Sequence, residues 1–294
     1  MKHYKKMLSC LVSMVLFFSM SSSFSNSVDA LTGIRYYRRH DCSSSDPTSY
    51  YPYFLYFSSS LTSSELPRTI IGNNDMVRDY DTSVVRLSCG GTGFIVDEHT
   101  IATAAHCVYN NTFLNITVDI VDTDNSVIDT ITPTYIHVPS GFISPPQDQS
   151  STYYDYALIS VEEDLYDYGM FHLAVARDNY IANSGSVVVS GFPQDYPSEY
   201  SHAEWGIRFK ASGTLNSSSS SNNYRLWYNA DTSGGDSGGP VYVQEGVSAN
   251  NTLYEYKSVI GIHTNGAGQG GSYNSGIRVT DDILRFYYEN NYII

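Results

Sequence analysis

The 294-residue sequence is short of positive charge: 16 Lys and Arg stand against 30 Asp and Glu, a formal net charge of −14. Such a chain offers no footprint for nucleic acid or for an anionic membrane surface. Leu- and Ala-rich helical stretches are almost absent. Tyr (27) outnumbers Phe (12) and Trp (2), and Ser and Thr abound. This composition suits strands and hydrogen-bonded loops better than a helical bundle. Long hydrophobic runs are missing too: the one candidate, "MLSCLVSMVLFFSM" from Met7 to Met20, is too short to span a bilayer comfortably. No internal repeat is present. Cysteine is scarce, with four in the whole chain: Cys10, Cys42, Cys89 and Cys107.

The apolar run follows a basic start, "MKHYKK", and gives way to small residues ending in "SVDA". A positive region, an apolar core and a small-residue site make a secretory signal peptide, with Ala30 as the cleavage point. Cys10 precedes most of the apolar run, which argues against a lipid-anchored cysteine. Residues 31–68 are rich in Tyr and Ser without clear alternation and read as a flexible tail or propeptide. The expected organisation is therefore signal peptide 1–30, propeptide 31–68 and a body at 69–294, secreted to the extracellular space. The body keeps nine Lys and Arg and 26 Asp and Glu, a formal −17. Cys10 and Cys42 fall outside it. Cys89 and Cys107 remain, and in an oxidising compartment they are expected to pair and close a short loop.

From residue 84 onward short apolar runs alternate with turns: "SVVRL", "TGFIV", "HTIATAA", "ITVDIV", "YALISV", "SVVVSGF", "PVYV" and "VIGIH". Their β-branched content and their Gly, Asn, Asp and Pro boundaries predict many short strands, a sandwich or barrels. The serine run at 217–221 reads as an exposed loop. One helix is expected at the C-terminus, in "VTDDILRFYYENN": Thr280 can cap it, two aspartates suit its first turn, and Ile283, Leu284 and Phe286 can face inward.

Three residues carry chemistry on this β background. His106 follows a strand-like run in "TIATAAHCVYN" and precedes a body cysteine; alone it reads as a core histidine as readily as a general base. Asp155 stands before a strongly apolar strand in "STYYDYALISV". An acid there is either a solvated boundary residue or a buried one that needs a partner such as an imidazole N–H. Ser237 sits among the glycines of "DTSGGDSGGP", and a serine hydroxyl becomes a nucleophile only when an oriented base takes its proton. Attack on a carbonyl creates an oxyanion, which the backbone N–H groups of Gly235 and Ser237 can meet if the turn bends sharply with no side chains in the way.

The motifs "TAAHC", "DYALI" and "GGDSGGP", in that order, resemble those of the chymotrypsin-like serine proteases, from about Thr69 to the C-terminal helix. The resemblance implies an all-β fold of two six-stranded antiparallel β-barrels with a C-terminal α-helix and the active site between the barrels. It makes His106 the general base, Asp155 its orienting acid and Ser237 the nucleophile, and matches Cys89–Cys107 to the family's disulfide beside the histidine. It implies protein or peptide substrates, a monomer, and neither cofactor nor metal.

Within that family, "RTIIGNNDMVR", "SGFPQD" and "GIHTNGAGQGGSYNSGIRVT" look like the bacterial glutamyl endopeptidases. Those enzymes have a histidine in the strand lining the specificity pocket, here His263, and a threonine five residues before the nucleophile, here Thr232. With the amine of a mature N-terminus at Thr69, freed by a cut after Arg68, these would bind a glutamate side chain. The chain departs from that subfamily at Asp236, which trypsin-type enzymes carry and pair with the new amine. Asp231 leaves an alternative open: six residues before the nucleophile, trypsin-like enzymes use an aspartate to bind Lys or Arg. An inactive homologue serving as a binding module would usually have lost one of the three residues, and all are present.

Overall fold

The computed structural model describes the backbone at residues 34–36 and then residues 76–110, 113–147, 149–194, 206–249, 252–266 and 272–291. The expected signal peptide, the Arg68–Thr69 junction and Thr69 itself lie outside the described residues. Two short strands come first, β1 (Ile34–Tyr36) and β2 (Val77–Arg78). The first sheet follows, from β3 (Val84–Leu87), β4 (Thr92–Asp97), β5 (Thr100–Thr103) and β6 (Val118–Val121) to β7 (Val127–Ile131), β8 (Tyr135–His137) and β9 (Ala157–Ser160). The second is built from β10 (His172–Ala176), β11 (Ser186–Gly191), β12 (Phe209–Thr214), β13 (Arg225–Tyr228), β14 (Pro240–Ala249), β15 (Thr252–Asn265) and β16 (Asn274–Arg278).

Strand order in the first sheet is β7-β6-β3-β4-β5-β9-β8; in the second it is β1-β10-β15-β14-β11-β12-β2, with β16 joining β15 to β13. All eight apolar runs read from the sequence fall on strands. The sheets carry seven and nine strands rather than six each, because short segments add to them. β1, inside the expected propeptide, extends the second sheet by pairing antiparallel with β10, Ile34 opposite Ala176. Among the described residues one pairing is parallel, β10 with β15, and every other ladder is antiparallel.

The central strands read as continuous apolar runs because both their faces are covered. β5 and β9 are buried at all four positions, and β4 at five of six. The first core gathers Val84, Phe94, Ile101, Ile120 and Ile159, and the second Val189, Phe209, Tyr228, Val241 and Ile260. Arg208, fully buried, fastens one sheet to the other. Its Nη1 donates to the carbonyls of Val84 (3.0 Å) and Val121 (3.2 Å), on β3 and β6.

Three α-helices are described: α1 (Ser140–Ile143), α2 (Asp178–Ala182) and α3 (Asp281–Asn290). In α3 the Thr280 hydroxyl accepts from the Ile283 N–H, as the sequence suggests, and Ile283 and Leu284 are buried. Phe286 meets Tyr156 edge-on, and Tyr287, which sequence reading omits, is buried as well. The helix follows β16 of the second sheet yet packs on the first, where Tyr287 Oη donates to Asp97 Oδ2 at 3.1 Å. The serine run is not a plain exposed loop. It is a 3-10 turn capped by Asn216, and Ser219 is buried with its hydroxyl accepting from the Trp227 N–H.

Candidate active site

β5 and β9 run side by side with Thr103 opposite Ala157. His106 lies three residues past Thr103, on a 3-10 turn from Ala105 to Cys107, and Asp155 lies two residues before Ala157. The ladder therefore brings together two residues 49 positions apart. Asp155 is 5% exposed and uses both oxygens on His106: Oδ1 accepts from the backbone N–H at 2.9 Å, and Oδ2 from Nδ1 at 2.8 Å. That arrangement puts the imidazole proton on Nδ1 and leaves Nε2 as the basic atom. Burial pulls the His106 pKa down, but the hydrogen bond and charge of Asp155, with a smaller contribution from Cys89, outweigh it and the pKa is raised.

Ser237 is held in a loop stitched to both sheets. Its carbonyl accepts from the Thr92 N–H at 2.8 Å; Gly238 N–H donates to the His263 carbonyl at 2.7 Å, and His263 N–H returns to Gly239 at 2.8 Å. Two glycines there are obligatory. Gly235 has φ +101° and Gly238 φ +89°. A Cβ on either would overlap a carbonyl oxygen, that of Phe192 or of Thr92. The N–H groups of Gly235 and Ser237 donate to no acceptor among the described residues, so both are available to an oxyanion. No hydrogen bond joins Ser237 Oγ to His106 Nε2; such contacts commonly tighten only when substrate binds. Asp236 is buried, and its carboxylate accepts from the Ser233 N–H at 2.8 Å. Burial outweighs that bond and raises its pKa to about 7.

The expected disulfide is not present: Cys89 and Cys107 are free thiols, and each shifts the ionisation of the other. Cys107 is buried with Sγ 3.4 Å from the Ser237 carbonyl, while Cys89 is exposed at the turn after β3. The neighbouring Cys107 thiol lowers the Cys89 pKa to about 6 against the opposing effect of burial.

His263, on β15 opposite Gly276 of β16, is 2% exposed. Its Nδ1 is 2.7 Å from the hydroxyl of Tyr228, a wholly buried residue at the end of β13. Burial, with the charges of His106 and Arg225, lowers the His263 pKa to about 3. This imidazole is neutral near pH 7. Thr232 Oγ1 is buried without a hydrogen-bond partner among the described residues, and Asp231 is 7% exposed. Sequence reasoning missed two neighbours, Tyr228 and Arg225. The available signal was an isolated arginine opening an otherwise apolar strand, "RLWY", just before the glycine-rich loop.

Two packed β-sheets with a His–Asp pair and a glycine-framed serine between them define a serine peptidase of the chymotrypsin fold. Residues 70–284 match the trypsin family model, and the chain belongs to that family. It is 28% identical over 232 residues to a glutamyl endopeptidase of Bacillus licheniformis, an alignment covering 74% of this chain and 67% of the relative. It is 30% identical over 249 residues to an extracellular metalloprotease of Bacillus subtilis, covering 74% and 68%. Among solved structures, one of a Glu endopeptidase in complex with MPD superposes with a TM-score of 0.57 at 19% identity, over 75% of this chain and 98% of that one.

Proposed function

We propose that this serine peptidase is a secreted endopeptidase that cuts after Glu, and less well after Asp, through an acyl-enzyme. His106 Nε2 takes the proton of Ser237 as its Oγ attacks the scissile carbonyl, and Asp155 holds the imidazolium that forms. The Gly235 and Ser237 N–H groups receive the oxyanion. His106 then returns the proton to the leaving amine, and water attacks the acyl-enzyme by the reverse sequence.

The observation that carries the acidic preference is the neutral His263 with Tyr228 on its Nδ1. When the Tyr228 hydroxyl donates, the imidazole proton sits on Nε2 and serves as a donor to a carboxylate. The unpartnered Thr232 hydroxyl supplies a second donor. A third is the amine of Thr69, exposed by a cut after Arg68; the same amine is the alternative partner for the buried Asp236 carboxylate. A second reading, cleavage after Lys or Arg, draws on the buried Asp231. The charge of Arg225, felt at His263, opposes a cationic side chain there.

Sequencing the cleavage sites left in a denatured protein mixture tests the specificity directly. Cuts after Glu are expected. Cuts after Lys or Arg, lost in Asp231→Ser, would establish the trypsin-like alternative. Ser237→Ala should fold and fail to turn over, and adding His106→Ala should cost little more, because the residues act as a unit.

A further inference from the structure

The acidic-residue reading leaves a physical gap. A carboxylate drawn out of water into a pocket needs a positive charge, and hydrogen bonds from neutral donors alone leave it poorly compensated. His263 is neutral, Thr232 is a hydroxyl, and the Thr69 amine has the buried Asp236 carboxylate as its other partner. The second sheet nevertheless holds a buried cation on β13, the strand that carries Tyr228. Arg225, 9% exposed, sends its guanidinium from β13 across β16. Nη2 donates to Ser275 Oγ (2.7 Å), Asn265 Oδ1 (2.7 Å) and Thr264 Oγ1 (3.0 Å), and Nη1 to the Thr152 carbonyl (3.2 Å). All four acceptors are uncharged. Among the described residues Arg225 enters no ion pair, whereas Arg86 pairs with Asp119 and Arg278 with Asp178. The acid whose charge it does feel, Asp155, has both oxygens committed to His106.

The placement gives this unpaired charge a direction. Thr264 follows His263 on β15, and Ser275 precedes Gly276, the residue opposite His263 on β16. Arg225 thus bonds to β15, the strand that carries the imidazole, and to its neighbour β16, and its positive charge is among the influences that keep that imidazole neutral. Ser275 accepts from the guanidinium, and among the described residues its own proton has no acceptor and can turn toward an anion; the Thr264 hydroxyl donates to Asn265 Oδ1 at 2.9 Å.

We propose that Arg225 is the specificity-determining cation of the pocket, compensating the negative charge of the acidic substrate side chain that His263 hydrogen-bonds. The proposal rests on the glutamyl reading above and deepens it. The chemistry is a buried guanidinium awaiting its counter-ion, which arrives with the substrate. It distinguishes Glu from Gln, which are nearly equal in shape and differ in charge.

The test uses the mature, secreted enzyme, with active sites counted by fluorophosphonate labelling and two peptides identical except for Glu or Gln at the cleavage residue. The wild type should favour Glu. Arg225→Gln should lower the Glu-to-Gln ratio of kcat/KM about tenfold or more, through Glu alone, because one member of a buried charge pair is gone. The Gln peptide should change little. Arg225→Lys keeps the charge and should retain most of the ratio, which covers the case in which Arg225→Gln does not fold. A labelled Arg225→Gln with the wild-type ratio, or one losing both peptides equally, overturns the role of Arg225 and leaves the glutamyl reading standing. So does a labelled Arg225→Lys that has lost the ratio. A wild type indifferent to Glu over Gln overturns both.

Discussion

Gly235→Ala isolates what the glycine-rich loop is for. At φ +101° an alanine pays the left-handed penalty, about 1–2 kcal/mol. Its Cβ would also overlap the Phe192 carbonyl oxygen, with the carbonyl carbon only 3.2 Å away. Relief requires the 235 peptide to withdraw by about 1 Å, enough to take its N–H away from a developing oxyanion. Loss of one such donor lowers kcat by roughly 10²–10³-fold, about 3–4 kcal/mol of barrier, with KM little changed. The strain should appear separately as a fall in Tm of roughly 3–8 °C. Gly234→Ala is the internal control: Gly234 is exposed, and its added Cβ would meet only the end of the Gln194 side chain, which can move. Burst titration followed by steady-state kinetics on Glu peptides measures the first effect, and a melt measures the second. A Gly235→Ala enzyme within threefold of wild-type kcat would show that the glycine does not shape an oxyanion site.

Further outcomes concern ionisation and the thiols. Asp155→Asn should cut kcat by about 10⁴-fold, because an amide offers a donor to Nδ1 and favours the wrong tautomer. Since the Asp155 carboxylate outweighs burial in raising the His106 pKa, the acid limb of kcat/KM should move down in the variant; an unmoved limb would contradict this. By the same linkage, the stability that wild-type His106 contributes is present below its ordinary pKa and lost as pH rises through the folded value. For Asp236, raised to about 7, the folded state binds the extra proton, so the form lacking a cation beside it should lose stability as pH rises from about 4 to 7. Asp236→Asn should flatten that slope in pH-dependent melts of the uncleaved chain. Alkylation without reductant should modify Cys89 readily at neutral pH and Cys107 slowly, given a thiol pKa of about 6 and a buried neighbour. Mass spectrometry that finds neither modified until reduction would establish a disulfide instead.

Local patterns in the chain settle local questions. β-branched runs between turn residues are enough to mark β3, β4, β5, β6, β9, β11, β14 and β15, because period and composition act over a few residues. Thr280 and the two following aspartates mark the start of α3 for the same reason. His106, Asp155 and Ser237 are legible through their motifs, whose residue types the chemistry demands. What the sequence alone leaves undecided depends on partners distant in the chain. Whether Asp155 is solvated or buried is decided by the β5–β9 ladder, which delivers both its oxygens to His106. Whether His263 is charged is decided by its burial against Tyr228, 35 residues away, and by the charges of His106 and Arg225. Arg225 reads as a lone polar residue in a strand until the fold closes around it and, among the described residues, gives it no ion pair, because the cost of a buried charge depends on everything packed about it and not on its neighbours in the chain.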